Sequence, residues 1–136
     1  MTLSPTAVHE TLDRRGLLEQ SHGPGTYGLR VHVPGGKAHV AEAFREVVDV
    51  PPPDKYLDKL AAADDVAYVG ASGDVYARLM DHAESDVRQS LFLQAFEVAK
   101  LIDVWPSPAP FENEFNRART LSDNGWGAVW TDGEVV

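Results

Sequence analysis

The stretch VAYVGASGDVYARLMDH, which runs from residue 66 to residue 82, constrains the fold of this chain more than any other. Its apolar first residues predict a short buried strand, and the glycines that follow predict a turn from that strand into a helix. Arg78 and His82 lie four residues apart on this helix, so their side chains share one face. Tyr68 lies near the end of the strand. A phenol, a guanidinium and an imidazole can therefore converge, which apolar packing alone does not require.

The size and composition of the chain predict one domain, spanning residues 1–136. Apolar residues make up 43% and charged residues 24%, as in an ordinary globular protein. The chain contains no cysteine, which excludes disulfides, thiolate metal sites and cysteine nucleophiles. No signal peptide and no membrane span is evident in the sequence, so we expect a cytoplasmic protein with no membrane partner.

The formal net charge of −9 argues against nucleic acid as a partner, because such binding comes mostly from basic residues that neutralise phosphates. The acidic residues are spread evenly along the chain, however, and lysine is scarce. We expect this kind of surface in a cytoplasm rich in salt, where the Debye length falls to about 3 Å at ~1 M salt. We therefore predict a halophilic source, which unfolding or aggregation in molar KCl would refute.

Helical and strand patterns follow one another along the chain. Ser4 and Pro5 predict the start of a helix over residues 5–20, and alternation of apolar and polar residues predicts a strand over 25–33. Residues 34–65 form a helical insertion with a triple proline at its middle, which we expect to be a lid or a surface for a partner.

The later elements follow the same kinds of pattern. They are a strand at 66–69, a helix at 74–84 that Asp74 can cap, a helix that starts at Ser85 and Asp86 and includes Val87, a strand at 98–105, a helix at 111–123, and a closing strand or ordered tail. The helix at 111–123 is expected to carry its apolar residues on one side, namely Phe111, Phe115, Ala118 and Leu121.

Two tripeptides, Gly25-Thr26-Tyr27 and Tyr68-Val69-Gly70, resemble the pair that names the GIY-YIG nuclease family. The departures are Thr26 and Val69. The pattern of that family continues with an arginine and a histidine on the next helix, a glutamate that opens a later helix, and an asparagine beyond it. In this sequence those residues are Arg78, His82, Glu112 and Asn124, and the asparagine lies twelve residues after the glutamate. The resemblance extends over residues 25–124, with the insertion between.

The resemblance implies a fold, an activity and a metal. The fold would be α/β, with a small, three-stranded, mainly antiparallel sheet flanked by helices. The activity would be that of an endonuclease that hydrolyses phosphodiester bonds in nucleic acid, DNA in the first instance, and leaves a 5′-phosphate and a 3′-hydroxyl. Glu112 would hold one Mg²⁺ or Mn²⁺, because a hard cation that keeps most of its waters can be tethered by one carboxylate and completed by substrate phosphate. Glu114 is the rival ligand.

The resemblance also implies roles for the other residues. Arg78 would pair with the scissile phosphate. Tyr27, supported by Tyr68, would orient or deprotonate the attacking water, although a phenol with a pKa near ~10 is a poor base unless a nearby cation lowers that pKa. His82 would relay a proton or buttress the phenolate. Asn124 would hold the architecture or touch phosphate.

Each of these residues also has an ordinary structural explanation. The tyrosines could be core aromatics, and Arg78 could be a solvated charge on a helix. His82 could cap the helix or pair with Asp81 or Glu84 on the surface. Glu112 lies in the first turn of a helix, where the helix dipole favours an acid. Asn124 precedes a glycine, which is a common way for a helix to end.

The rival to an enzyme is a catalytically inactive module on the same scaffold, which would bind nucleic acid or a protein. The sequence has no basic segment that would read DNA. Specificity would therefore come from the insertion at 34–65, from a homodimer or from a separate specificity subunit.

Overall fold

The computed structural model describes residues 2–84 and 90–136. The helices within these ranges are α1 (Pro5–Arg14), α2 (Lys37–Arg45), α3 (Asp54–Ala62), α4 (Val75–Ala83), α5 (Leu91–Ala95) and α6 (Pro110–Asp123), with a short 3-10 helix at Gln20–His22. The strands are β1 (Gly25–His32), β2 (Val66–Ser72), β3 (Glu97–Pro106), β4 (Ala128–Thr131) and β5 (Glu134–Val135).

The strands form one mixed sheet in the order β3-β1-β2-β4-β5. β1 pairs antiparallel with both β2 and β3, β4 pairs parallel with β2, and β5 pairs antiparallel with β4. The α/β class is thus confirmed, but the predicted three-stranded sheet is wrong in its number of strands. The two additional strands come from the segment predicted to be a closing strand or an ordered tail. They are too short to give a clear alternating pattern of their own.

A tight turn connects the last two strands. Asp132 and Gly133 have φ values of 45° and 80°, so both are left-handed, as a two-residue turn of type I′ requires. The turn pairs Thr131 with Glu134 across the hairpin. It also places Asp132 at the end of β4, next to Thr131.

The helix boundaries follow local signals. The Ser4 hydroxyl accepts a hydrogen bond from the Ala7 N–H at 3.1 Å, and Asp74 caps α4 in the same way by accepting from the Ala77 N–H. The first helix ends at Arg14 and not at residue 20, because Gly16 has a left-handed φ of 69°.

The predicted helix start at Ser85 and Asp86, together with Val87, lies outside the described residues. The described helix in that region is α5, and the Ser90 side chain caps it by accepting from the Leu93 N–H.

The insertion packs its apolar faces into the main core. Val40, Phe44, Leu57 and Leu60 are all buried, and the ring centroid of Phe44 lies 5.7 Å from that of Trp130 on β4. The helices α2 and α3 of the insertion, which we expected to form a lid or a partner surface, thus contribute side chains to the core. They pack against the last strands of the chain as well as against each other.

The sheet separates two apolar clusters. The larger one includes Tyr27, Tyr68 and Trp130, and the helices of the insertion pack into it. The smaller one lies between α6 and the other face of β2 and β4, with Ala118 and Val129 among its residues. The two tyrosines therefore project from the face of the sheet that α6 does not cover.

Candidate active site

A buried hydrogen bond connects two of the predicted site residues. The Tyr27 hydroxyl lies 2.8 Å from His82 Nε2, and the two ring centroids lie 5.5 Å apart. Tyr27 comes from β1 and is 1% exposed, whereas His82 comes from the last turn of α4 and is 3% exposed. A strand and a helix that are distant in sequence thus bring a phenol and an imidazole into direct contact.

The glycines of the two tripeptides have a steric role at this contact. Tyr27 pairs with Gly70 across β1 and β2, and a Cβ atom at residue 70 would overlap the Tyr27 ring. A Cβ atom at Gly25 would lie 2.8 Å from the backbone carbonyl oxygen of Trp105 on β3. Close approach of a ring or a neighbouring strand therefore requires glycine at both positions.

Tyr68 lies beside this pair. Its ring centroid is 6.4 Å from that of Tyr27 and 6.1 Å from that of His82. Burial raises the pKa of Tyr68, and the Ser90 hydroxyl opposes this by hydrogen bonding to the phenol. Three of the predicted side chains thus share one cluster on the main face of the sheet.

Arg78 reaches the same cluster from α4. Its side chain is 26% exposed, and Nη1 lies 3.7 Å from Asp81 Oδ2. Burial raises the pKa of Tyr27 well above its usual value. The Arg78 guanidinium opposes this shift through its charge and a hydrogen bond to the phenol, but its effect is the smaller one. Tyr27 is therefore a protonated phenol at neutral pH and not a phenolate.

Of the two candidate metal ligands, Glu114 is the partly buried one, and its charge reaches the two phenols. Glu112 is exposed to solvent on α6. Glu114 is partly buried, and burial raises its pKa, with a further increase from the charge of Asp132. The charge of Glu114 in turn raises the pKa of both Tyr27 and Tyr68. The carboxylate that acts on the phenols is thus the rival ligand two residues beyond Glu112.

A small cavity of about 130 Å³ adjoins Glu114. Its lining residues are Phe111, Glu114, Phe115, Thr131, Asp132 and Glu134. Thr131 is 1% exposed, and within residues 2–84 and 90–136 its hydroxyl makes no hydrogen bond of normal geometry. It nevertheless lies close enough to Glu114 to lower the pKa of that carboxyl. Carboxylate and hydroxyl oxygens are hard donors of the kind that Mg²⁺ takes, so the residues at this cavity fit such a cation.

A cation at this cavity would have few protein ligands. In the part of the chain that the structure describes, no three His, Asp or Glu side chains are placed to hold a metal ion. A cation at Glu114 would therefore keep most of its waters, as Mg²⁺ commonly does.

Asn124 lies at the opposite end of α6 from Glu114. It caps the C-terminal end of α6, is exposed, and donates its backbone N–H to the carbonyls of Thr120 and Leu121. It lies about 15 Å along the helix axis from Glu114, at 1.5 Å per residue. Gly125 follows with a φ of 103°, so the observed role of Asn124 is to end the helix.

The prediction that Phe111 and Phe115 lie on the buried side of α6 with Ala118 and Leu121 is wrong. Phe111 is 71% and Phe115 46% exposed, whereas Ala118 and Leu121 are buried against the sheet. At about 100° per residue, Glu114 lies above Ala118 on this buried face, and the two phenylalanines lie to one side of it. Glu114 and Phe115 are adjacent in sequence, so only the rotation of α6 on the sheet determines which of them turns inward.

Comparisons of the chain with protein families, with curated proteins and with solved structures give no match. None of the helices within the described ranges is long and apolar enough to cross a membrane. What the protein does must therefore be inferred from the chemistry of the cluster around Tyr27 and of the cavity at Glu114.

Proposed function

We propose that this chain is a GIY-YIG-like endonuclease that uses Mg²⁺ or Mn²⁺ to hydrolyse phosphodiester bonds in nucleic acid, DNA in the first instance. The products would be a 5′-phosphate and a 3′-hydroxyl. The observation that carries the proposal is the buried contact between Tyr27 and His82, with the Arg78 guanidinium beside the phenol. Such a grouping offers a proton path and a cation for phosphate at one place.

The proton path follows from the state of the phenol. Tyr27 keeps its proton because burial raises its pKa, and its hydroxyl can donate to His82 Nε2 while its oxygen accepts from Arg78. As water attacks phosphorus, its proton passes to the Tyr27 oxygen and the phenol proton passes to His82. The bond from phosphorus to the 3′ oxygen breaks, and that oxygen takes a proton from solvent. This relay avoids a free phenolate, which burial disfavours.

Charge on the phosphate needs a cationic partner. Arg78 is partly exposed beside Tyr27, so a substrate phosphate that approaches from solvent can pair with its planar guanidinium. Glu114 would hold the divalent cation, with Asp132 and the Thr131 hydroxyl at the same cavity. When bound, the cation would neutralise charge that develops on the phosphate and the leaving oxygen.

The alternative is a catalytically inactive module that binds nucleic acid or protein. The low exposure of Tyr27 and His82, 1% and 3%, favours this alternative because an attacking water must reach the phenol. Under it, the pair would stabilise the junction of β1 and α4 and do no chemistry.

A plasmid nicking assay with Mg²⁺ separates the two functions. We expect the wild type to nick, and Arg78→Ala and Glu114→Gln each to lose about 10²-fold or more, as loss of a charge-stabilising group commonly does. Glu112→Gln is the matched control, because Glu112 is the exposed acid two residues from Glu114. Wild-type protein that fails to nick, or variants that all nick alike, would contradict the endonuclease.

A further inference from the structure

Two exposed aromatic rings lie beside the candidate metal site. The large hydrophobic side chains that are exposed in the described residues are Val50, Leu91, Phe111 and Phe115. The two phenylalanines are four residues apart on α6, so they are neighbours on one side of that helix. Two exposed rings so placed are not explained by packing of the core.

These rings are continuous with the site. Phe111 and Phe115 line the same cavity of about 130 Å³ as Glu114. One turn further along α6, the Arg119 guanidinium lies over the Phe115 ring at 6.0 Å from its centroid. Phe111, Phe115 and Arg119 thus form one stripe, here called the aromatic stripe, which begins at the cavity.

The charge of the protein decides which part of a nucleic acid suits this stripe. A net charge of −9 opposes the many phosphate contacts on which duplex binding depends. Stacking of a base on an aromatic ring involves no phosphate and tolerates any base sequence. The faces of paired bases are hidden in a duplex, so only unpaired bases can use the rings.

We propose that Phe111 and Phe115 stack unpaired bases of the substrate beside the cleavage site. The preferred substrate is then a nucleic acid with a single-stranded segment, and not a continuous duplex. This inference rests on the proposed function and names the substrate class of the same site.

A second copy of this chain suits the stripe less well. Glu112 is exposed between the two rings in sequence, and Asp132 and Glu134 are exposed at the cavity they line. Charged residues are depleted at the centre of protein interfaces, and a two-fold contact would bury these acids near their own copies, whereas a base stacked on a ring leaves them exposed to solvent.

Binding of labelled oligonucleotides, followed by fluorescence anisotropy in EDTA, tests the proposal. The probes are a single strand and the blunt duplex of the same sequence. We expect the single strand to bind at least about tenfold more tightly. The double variant F111L/F115L keeps apolar side chains but has no flat rings, and it should lose about 5-fold or more in single-strand affinity while duplex affinity is unchanged. Val50→Ala, at another exposed apolar residue, should bind as the wild type does.

Several outcomes would overturn the stacking proposal. The first is equal single-strand affinity in the wild type and F111L/F115L, and the second is tighter binding of the duplex than of the single strand. The third is a wild-type dimer that is lost in F111L/F115L while single-strand affinity stays the same. Nicking by the wild type is scored separately. If the wild type nicks but F111L/F115L binds the single strand as tightly as the wild type does, only the stacking proposal fails. If F111L/F115L loses single-strand affinity but the wild type does not nick, stacking is supported and the chain is an inactive binding module.

Discussion

The ring of Tyr27 lies across Gly70, its partner on the neighbouring strand, and leaves no room for a side chain there. The backbone of β2 thus holds the phenol in reach of His82. This relationship explains why a glycine is needed at the end of the second tripeptide, since any Cβ would displace the ring.

Gly70→Ala should therefore uncouple Tyr27 from His82. We expect nicking to fall by about 10²-fold or more and the free energy of unfolding to fall by about 1–3 kcal/mol, as overpacking in a core does. Gly73→Ala is the control, because a Cβ at Gly73 meets no atom of the described residues within 4 Å. Nicking and urea unfolding measure the two effects. A Gly70→Ala variant with wild-type activity would show that the position of the ring does not matter.

Tyr27→Phe should remove the hydrogen bond to His82 and leave a buried ring nitrogen without this partner. We expect a loss of about 1–3 kcal/mol in unfolding free energy, together with a loss of nicking. Tyr76→Phe is a matched control, because the Tyr76 hydroxyl lies 3.1 Å from His9 Nδ1 in an exposed pair. Tyr76→Phe should lose much less unfolding free energy than Tyr27→Phe. Equal losses in urea unfolding of the two variants would mean that burial of the Tyr27 pair has no special effect.

Glu114→Gln should raise stability at neutral pH. Burial raises the pKa of Glu114 in the folded state, so protonation of Glu114 favours the folded state. This contribution to the free energy of unfolding is present at low pH and is lost as pH rises through the folded pKa. The gain in Tm of Glu114→Gln should be present at about pH 7.5 and absent at about pH 3.5, where Glu114 is protonated in both the folded and the unfolded state. Glu112→Gln, at an exposed acid, should show no such gain. A lower Tm for Glu114→Gln near neutral pH would contradict the prediction.

Mg²⁺ should stabilise the wild type through the cavity at Glu114. At a tenfold excess over Kd, binding to the folded state adds about 1.4 kcal/mol, which raises Tm by a few degrees. The shift should vanish in Glu114→Gln, weaken in Asp132→Asn and persist in Glu112→Gln. A thermal melt with and without Mg²⁺ measures it, and an equal shift in all four proteins would place the cation elsewhere.

Local signals in the sequence were enough for much of the fold. The alternation in β1 and the Asp74 cap of α4 depend on neighbouring residues, and both elements lie close to where they were predicted. The strand β4 is short, and it pairs in parallel with β2 only after the chain has passed through α4, α5, β3 and α6. No local pattern specifies such a pairing.

In the candidate site, too, features that depend on local sequence could be predicted and features that depend on tertiary packing could not. The spacing of Arg78 and His82 on α4 could be predicted, because four residues of helix always place two side chains on one face. Which of Glu112 and Glu114 is partly buried could not be predicted, since two residues differ by about 200° around the helix and the rotation of α6 is set by tertiary packing. The exposed Phe115 made the wrong face look apolar.

The contact between Phe44 and Trp130 has a practical use. Trp130 directly precedes Thr131 in β4, and its ring is 9% exposed and packs against both Phe44 and Phe92. Its indole therefore lies next to a residue that lines the cavity. In a variant whose other two tryptophans, Trp105 and Trp126, are replaced by phenylalanine, occupation of that cavity by a cation should change the emission without any attached dye.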